Sequence, residues 1–204
     1  MNKERYKKVS VVGGAGHIGL PLSCFLQNKG CQVVVIDNNL ESLNLIKNNV
    51  LTFYEKGLEK SLKNALRKGM KLSDDIKEIV NTEIVIVTIG TSSNQVHIDL
   101  FERLINDVLE NISSQSLLIL RSTITMNDIN NIKNNSNFIK KNINLAYCPE
   151  RIAEGEAFEE LGKLPQIVGA SENDVQEKAT KFFQKLKVPT ISTSIENAIF
   201  TKLF

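Results

Sequence analysis

Three glycines stand at the spacing G-x-G-x-x-G in Gly14-Ala15-Gly16-His17-Ile18-Gly19, and a carboxylate, Asp37, follows 23 residues after Gly14. Those residue types at that spacing suit the binding of a dinucleotide. Gly14 permits a tight turn, Gly16 removes the side chain that would face a pyrophosphate, and Gly19 allows close helix–strand packing. A helix opening here presents unpaired N–H groups and a partial positive charge to the phosphates. His17 and Ile18 lie on the turn itself and are expected beside those phosphates. Asp37 can accept hydrogen bonds from the adenosine ribose hydroxyls. A carboxylate there repels a 2′-phosphate, and Asn38-Asn39 bring no cation, which favours NAD over NADP. Glycines also mark ordinary strand-to-helix turns, so the weight of the pattern rests on the elements around it.

Val9–Val12 is a short apolar run leading into the glycines. Ile18, Leu22, Phe25 and Leu26 follow at helical spacing, up to a stop at Lys29-Gly30. A β-branched run, Val33–Ile36, ends at Asp37. Helices are predicted over Leu40–Asn49 and Leu58–Arg67, a short strand over Lys71–Ser73, and Asp74 as the N-cap of a helix Asp75–Val80. Ile84–Val87, Leu117–Leu120, Ile143–Tyr147, Gln166–Val168 and Thr190–Ser192 read as further strands. Helices over Asp99–Asn111, Met126–Ile132 and Glu172–Leu186 separate them. The strands are continuously apolar, as in a parallel sheet covered on both faces. The predicted fold is therefore α/β, a doubly wound, mostly parallel, Rossmann-like sheet. Residues 1–193 read as one domain and 194–204 as the start of a further helix.

Of 204 residues, 42% are apolar and 24% charged, which excludes a disordered chain. A formal charge of +2 gives no reason to expect nucleic acid or an anionic membrane as partner. No apolar run approaches the ~20 residues that span a bilayer. The basic start Met1–Lys8 leads into a strand, not into a signal-peptide core. The chain is expected to be soluble and cytoplasmic. Cys24, Cys31 and Cys148 are widely spaced with no CxxC pair, so neither a metal site nor a disulfide framework is expected. Asparagine is dense between Asn127 and Asn144, where it alternates with Ile and Phe; we read these as solvated positions, not a binding tract.

Several segments beyond the fingerprint resemble the nucleotide-sugar dehydrogenases, that is, the UDP-glucose, GDP-mannose and UDP-N-acetylmannosamine dehydrogenases. Gly16-His-Ile-Gly-Leu-Pro21 is similar to their GxxGLP turn. Phe53-Tyr-Glu-Lys-Gly-Leu-Glu59 resembles their YEPGLEE segment, with Lys56 where proline is usual. Arg121-Ser-Thr-Ile124 resembles their STV strand end. Tyr147-Cys-Pro-Glu-Arg-Ile-Ala-Glu-Gly155, followed by Leu164-Pro-Gln-Ile-Val-Gly169, most resembles the UDP-N-acetylmannosamine branch. The resemblance implies NAD as cofactor and oxidation of a UDP-sugar C6 alcohol to the uronate, through an aldehyde captured by a cysteine thiol and a thioester that is hydrolysed.

That chemistry needs a base, a stabiliser of oxyanion charge and a thiol nucleophile. By resemblance Glu150 is the catalytic glutamate, placed just past a strand's carboxyl end where α/β sheets bind ligands. Its bland alternative is a solvated glutamate paired with Arg151. Arg151 and Glu154 would face the substrate. Thr123 would hold a catalytic water or cap a helix, and Lys202 would stabilise alkoxide charge or lie exposed. Thr88 and Thr123 would flank the nicotinamide side of the cofactor.

The chain also departs from the pattern. Thr88-Ile-Gly-Thr91 lacks the family proline, and Ala198-Ile199 stands where the central helix carries Ala-Glu. The family's nucleophilic cysteine and sugar-nucleotide domain fall beyond Phe204. Cys148 does not replace that thiol, because it belongs to the CPER pattern. The expectation is a chain inactive alone, completed by a C-terminal half that brings the UDP-sugar site. Ile195, Ile199, Phe200, Leu203 and Phe204 are expected to lack cover unless the central helix forms a homodimer. The alternatives are a non-catalytic NAD-binding or interaction module, and another Rossmann dehydrogenase of the β-hydroxyacid type, against which the CPERIAEG segment argues.

Overall fold

The computed structural model describes residues 7–90, 95–151 and 160–203. Glu154, Thr91 and Phe204 lie outside the described residues. The chain forms β1 (Lys8–Val12), α1 (Gly19–Asn28), β2 (Gln32–Ile36), α2 (Leu40–Lys47), α3 (Leu58–Arg67) and β3 (Lys71–Ser73). A 3₁₀ turn, Ile76–Asn81, leads into β4 (Ile84–Val87) and α4 (Gln95–Asn111). Then come β5 (Leu117–Leu120), α5 (Met126–Asn134), α6 (Ser136–Lys141), β6 (Asn144–Tyr147), β7 (Gln166–Ala170), α7 (Asn173–Lys185), β8 (Thr190–Thr193) and α8 (Ile195–Leu203).

The eight strands make one sheet in the order β3-β2-β1-β4-β5-β6-β7-β8. The first six are parallel neighbours, as expected for a doubly wound fold. β7 runs antiparallel to β6, and β8 runs parallel to β7. The sheet therefore contains one reversal.

Burial on both faces explains the continuous apolar runs. Val9 and Val11 of β1 point to a core shared with Leu22 of α1, Leu62 of α3 and Phe183 of α7. Val12 points to the other face, where Val87, Ile105 of α4 and Ile132 of α5 close the second layer. Alternate strand positions thus feed opposite cores.

Several sequence expectations need correction. Asp75, not Asp74, caps the turn that follows β3: its carboxylate accepts from the Lys77 N–H at 2.9 Å. α4 starts at Gln95, four residues before the expected Asp99. α6 was not foreseen; it is one short turn capped by Asn135, with no buried face to give it a periodic signature. The expected exposure of Ile195 and Ile199 is overturned. α8 docks on β7 and β6, and Ile195, Ala198 and Ile199 are buried in the second core. Docking also explains how so short a helix forms, since tertiary packing replaces the length an isolated helix would need. Phe200 does face outward, at 59% exposure. No helix among the described residues is long and apolar enough to cross a membrane.

Candidate functional site

The turn between β1 and α1 lies at the carboxyl edge of the sheet, where the strand order reverses direction of growth around β1 and β4. The Gly13 and Gly14 N–H groups both donate to the Ile36 carbonyl at the end of β2, at 2.9 and 3.2 Å. The left-handed backbone falls on Gly13, at φ 76°, rather than on Gly14, where the sequence placed the tight turn. A Cβ on Gly14 would meet the Val11 carbonyl oxygen at 2.6 Å, and one on Gly19 would meet the Gly13 oxygen at 2.2 Å. These glycines are demanded by the chain's own packing.

Gly16 is different. It is exposed, and among the described residues a Cβ there would meet only the Gly13 oxygen, at an ordinary 3.5 Å. Nothing among the described residues requires glycine at this position. What the missing side chain leaves open is the approach to the start of α1. That helix has no side-chain hydrogen bond from its N-cap, Ile18, and no acidic residue in its first turn. Its positive end is therefore available to an anion. The cradle fits a pyrophosphate.

Asp37 sits one residue past β2. One carboxylate oxygen accepts from the Ala15 N–H and the other from the Asn39 N–H, each at 3.0 Å. The carboxylate thus holds the fingerprint turn and retains acceptor capacity for ribose hydroxyls. His17 stacks on Phe53, from the segment between α2 and α3, with ring centroids 4.1 Å apart. Thr88, just past β4, donates its hydroxyl to the Val12 or Gly13 carbonyl, at 3.0 and 3.1 Å. Its role visible here is to tie β4 to the turn. A cleft of about 490 Å³ opens beside these residues, lined by Val12, Ile36, Asp37, Ile89 and Leu104 among others.

A second cluster lies further along the same edge. Arg121 follows β5 and Glu150 follows β6; both are buried, at 3% and 5% exposure, and form an ion pair. The other Glu150 oxygen accepts from the Arg151 N–H at 2.9 Å. Gln166, at the start of the reversed β7, accepts from Arg121 at 2.5 Å and donates to the Pro149 carbonyl at 3.2 Å. Lys202 of α8 donates its ammonium to the Glu150 backbone carbonyl. Burial pushes the Lys202 ammonium below its ordinary pKa; Glu150 opposes that shift and Arg121 adds to it.

The structure brings Glu150 and Lys202 together, which the sequence could only suggest. The sequence missed Arg121 as the partner of Glu150; it offered a pairing with Arg151 only as the alternative to a catalytic role, and the Arg151 guanidinium instead donates to the Pro165 carbonyl at 2.7 Å. The readable signal was a guanidinium ending the apolar run Leu117–Leu120. Gln166 was also missed. Thr123 is exposed beyond β5 and does not cap α5; Thr125 does, in a reciprocal capping box with Asp128.

All three cysteines are buried, and burial raises Cys24 and Cys148 to about 12 and Cys31 to about 11. None is poised as a thiolate. Each is therefore expected to resist a thiol-specific disulfide reagent at pH 8 in the folded chain and to react within seconds in guanidinium, as followed by absorbance. The sign of the linkage is fixed too: unfolded thiols ionise near pH 9 while folded ones stay neutral. The thiol contribution to stability should be complete below that pH and fall as pH rises toward 11–12. Among the described residues no group of three or more His, Cys, Asp or Glu could hold a metal.

An open glycine cradle, a helix end facing it and a carboxylate at the end of the second strand define a dinucleotide-binding α/β domain of the dehydrogenase type. Residues 7–187 match the UDP-glucose/GDP-mannose dehydrogenase family, NAD binding domain. The chain belongs to that family. It is 29% identical over 187 residues to a UDP-N-acetyl-D-mannosamine dehydrogenase of Methanococcus vannielii, covering 89% of this chain and 43% of that protein. It is similar in structure to a UDP-N-acetyl-mannosamine dehydrogenase of Staphylococcus aureus, with a TM-score of 0.83 and 27% identity over 96% of this chain and 49% of that one. A UDP-D-ManNAc dehydrogenase from Pyrococcus horikoshii shares the fold, with a TM-score of 0.87, 24% identity and the same coverage. The chain spans about half the length of the relatives it matches, or somewhat less.

Proposed function

We propose that this chain is the NAD-binding part of a nucleotide-sugar 6-dehydrogenase that oxidises the C6 alcohol of a UDP-sugar, UDP-N-acetylmannosamine, to the uronate. The observation that carries this reading is the shared edge: the open Gly16 cradle, Asp37, Glu150 and Lys202 all lie at the carboxyl ends of the sheet. Bound NAD would supply the hydride acceptor. Gly14, Gly16, His17, Ile18 and Gly19 would surround its pyrophosphate, Asp37 its adenosine ribose, and Thr88 and Thr123 its nicotinamide side.

Lys202 is the group best disposed to stabilise an alkoxide, because its half-buried ammonium loses less to solvent than an exposed one. Glu150 turns its carboxylate inward onto Arg121, which keeps a charged acceptor fixed beside the edge. With Thr123 it would activate water, while Arg151 and Glu154 would meet the sugar nucleotide. The UDP-sugar site and the reactive thiol would come from further polypeptide, and the outward Phe200 would take part in a homodimer along α8. A cytoplasmic location fits these substrates.

Calorimetry tests the cofactor half of the reading: NAD should bind one site per chain. The 204 residues alone should not carry UDP-N-acetylmannosamine through the four-electron oxidation to the uronate with steady release of NADH, since their three thiols are buried and the sugar-nucleotide site would come from further polypeptide. Steady NADH production at 340 nm would overturn that expectation. The burial of all three thiols equally favours a non-catalytic NAD-binding module. Recovery of NADH production on adding the C-terminal half of a relative would separate the two in favour of the enzyme.

A further inference from the structure

The cleft beside the glycine turn carries more negative charge than the dinucleotide fingerprint accounts for. We propose that Asp74 and Asp107 act with Asp37 as a shared barrier against a 2′-phosphorylated cofactor, so that selection of NAD over NADP is distributed over three carboxylates. The inference rests on the reading that NAD binds in this cleft.

Among the described residues three aspartates line the cleft, Asp37, Asp74 and Asp107, and the other described lining residues are uncharged. The walls between them are apolar, built by Val12, Ile36, Ile76, Ile89, Leu100 and Leu104. Such a surface accepts an uncharged base and ribose. Topology sets the carboxylates close together. β2 and β3 are parallel neighbours with Ile36 opposite Ser73, and the Asp37 N–H donates to the Ser73 carbonyl at 3.1 Å. Asp37 and Asp74 are thus the next pair in register, their backbones one strand spacing, roughly 5 Å, apart across the sheet. Asp107 belongs to α4 and closes the cleft from the other side.

Asp37 is held by two backbone N–H groups and does not swing away from an incoming anion. Asp74 plays no part in capping the following turn, because Asp75 does that. Its carboxylate is exposed and left to face the cleft. A phosphate monoester carries roughly −1.5 to −2 charges at neutral pH. Beside apolar walls each aspartate repels it more than it would in open water. An adenosine 2′-hydroxyl meets no such penalty and finds acceptors.

The test is titration calorimetry of the full chain with NAD and with NADP. Each carboxylate should contribute about tenfold to the ratio of the two affinities. Asp37→Asn alone should therefore leave NAD preferred. Asp37→Asn with Asp74→Asn should move the ratio by about a hundredfold, and Asp107→Asn should move it further in the same direction. Because Asp37 also holds the turn, Asp74→Asn in the otherwise unaltered chain gives an independent reading: the ratio should shift about tenfold toward NADP, and less so at high salt. Equal affinities in Asp37→Asn alone would overturn the proposal, as would a ratio that Asp74→Asn changes by less than twofold. Failure of the unaltered chain to bind NAD would overturn the cofactor reading itself, and this proposal with it.

Discussion

Arg121→Met should destabilise the folded chain by about 3–5 kcal/mol, the largest effect expected of any single change at the site. The reason is asymmetry. Arg121 and Glu150 are both buried, and removing the guanidinium takes the counter-charge from a desolvated carboxylate that keeps the hydrogen bond from the Arg151 N–H. Gln166 loses its donor in the same step. Urea unfolding followed by circular dichroism measures the loss as a drop in midpoint at constant slope. The double change Arg121→Met with Glu150→Leu should recover most of it, because a buried pair replaced by apolar groups of similar volume is often neutral. Glu150→Gln should also destabilise, because it leaves the buried Arg121 guanidinium without its counter-charge and turns an amide NH2 toward one of the two donors that the carboxylate accepts from. A cost below 1 kcal/mol for Arg121→Met would mean that the pair does not anchor this corner.

Gly16→Asp should lower NAD affinity at least a hundredfold while leaving the melting temperature nearly unchanged. The Cβ finds ordinary space, and a carboxylate near the start of α1 favours the helix end. The same carboxylate occupies the place of the pyrophosphate and repels it. Gly19→Ala supplies the contrast. Its Cβ would stand 2.2 Å from the Gly13 oxygen and 2.6 Å from the Gly14 Cα, contacts that only backbone movement relieves. Loss of about 1–3 kcal/mol is expected there, with binding reduced only as far as the turn is distorted. Calorimetry and thermal melting on the two variants separate a glycine kept for a ligand from one kept for packing. Unaltered affinity in Gly16→Asp would remove the cradle from the site.

The elements that position the site were legible because their signals are local. Val9–Val12 and Val33–Ile36 are β-branched runs bounded by glycine and aspartate, and each became a strand within a residue of its expected limits. The fingerprint turn was readable for the same reason. The second cluster was not. Arg121 and Glu150 are 29 residues apart and meet only because β5 and β6 are neighbours, which no local pattern encodes. Proximity in sequence offered Arg151, and only as an alternative. Strand direction was equally silent: the apolar pair Ile167-Val168 reads alike whichever way its strand lies. The buried face of α8 was misjudged because its cover comes from β6 and β7, which lie far from it along the chain or at its far side.

The reversal at β7 decides where α8 ends. A helix that follows a strand travels back the way the strand came. After any of the first six strands it would run toward the amino ends of the sheet. Because β7 and β8 point the opposite way, α8 climbs to the rim that holds the glycine turn, and Lys202 arrives on the carbonyl of Glu150. Gln166 reaches the same rim because it begins, rather than ends, its strand. A single U-turn in an otherwise uniform weave thus lets two distant stretches of polypeptide share a corner.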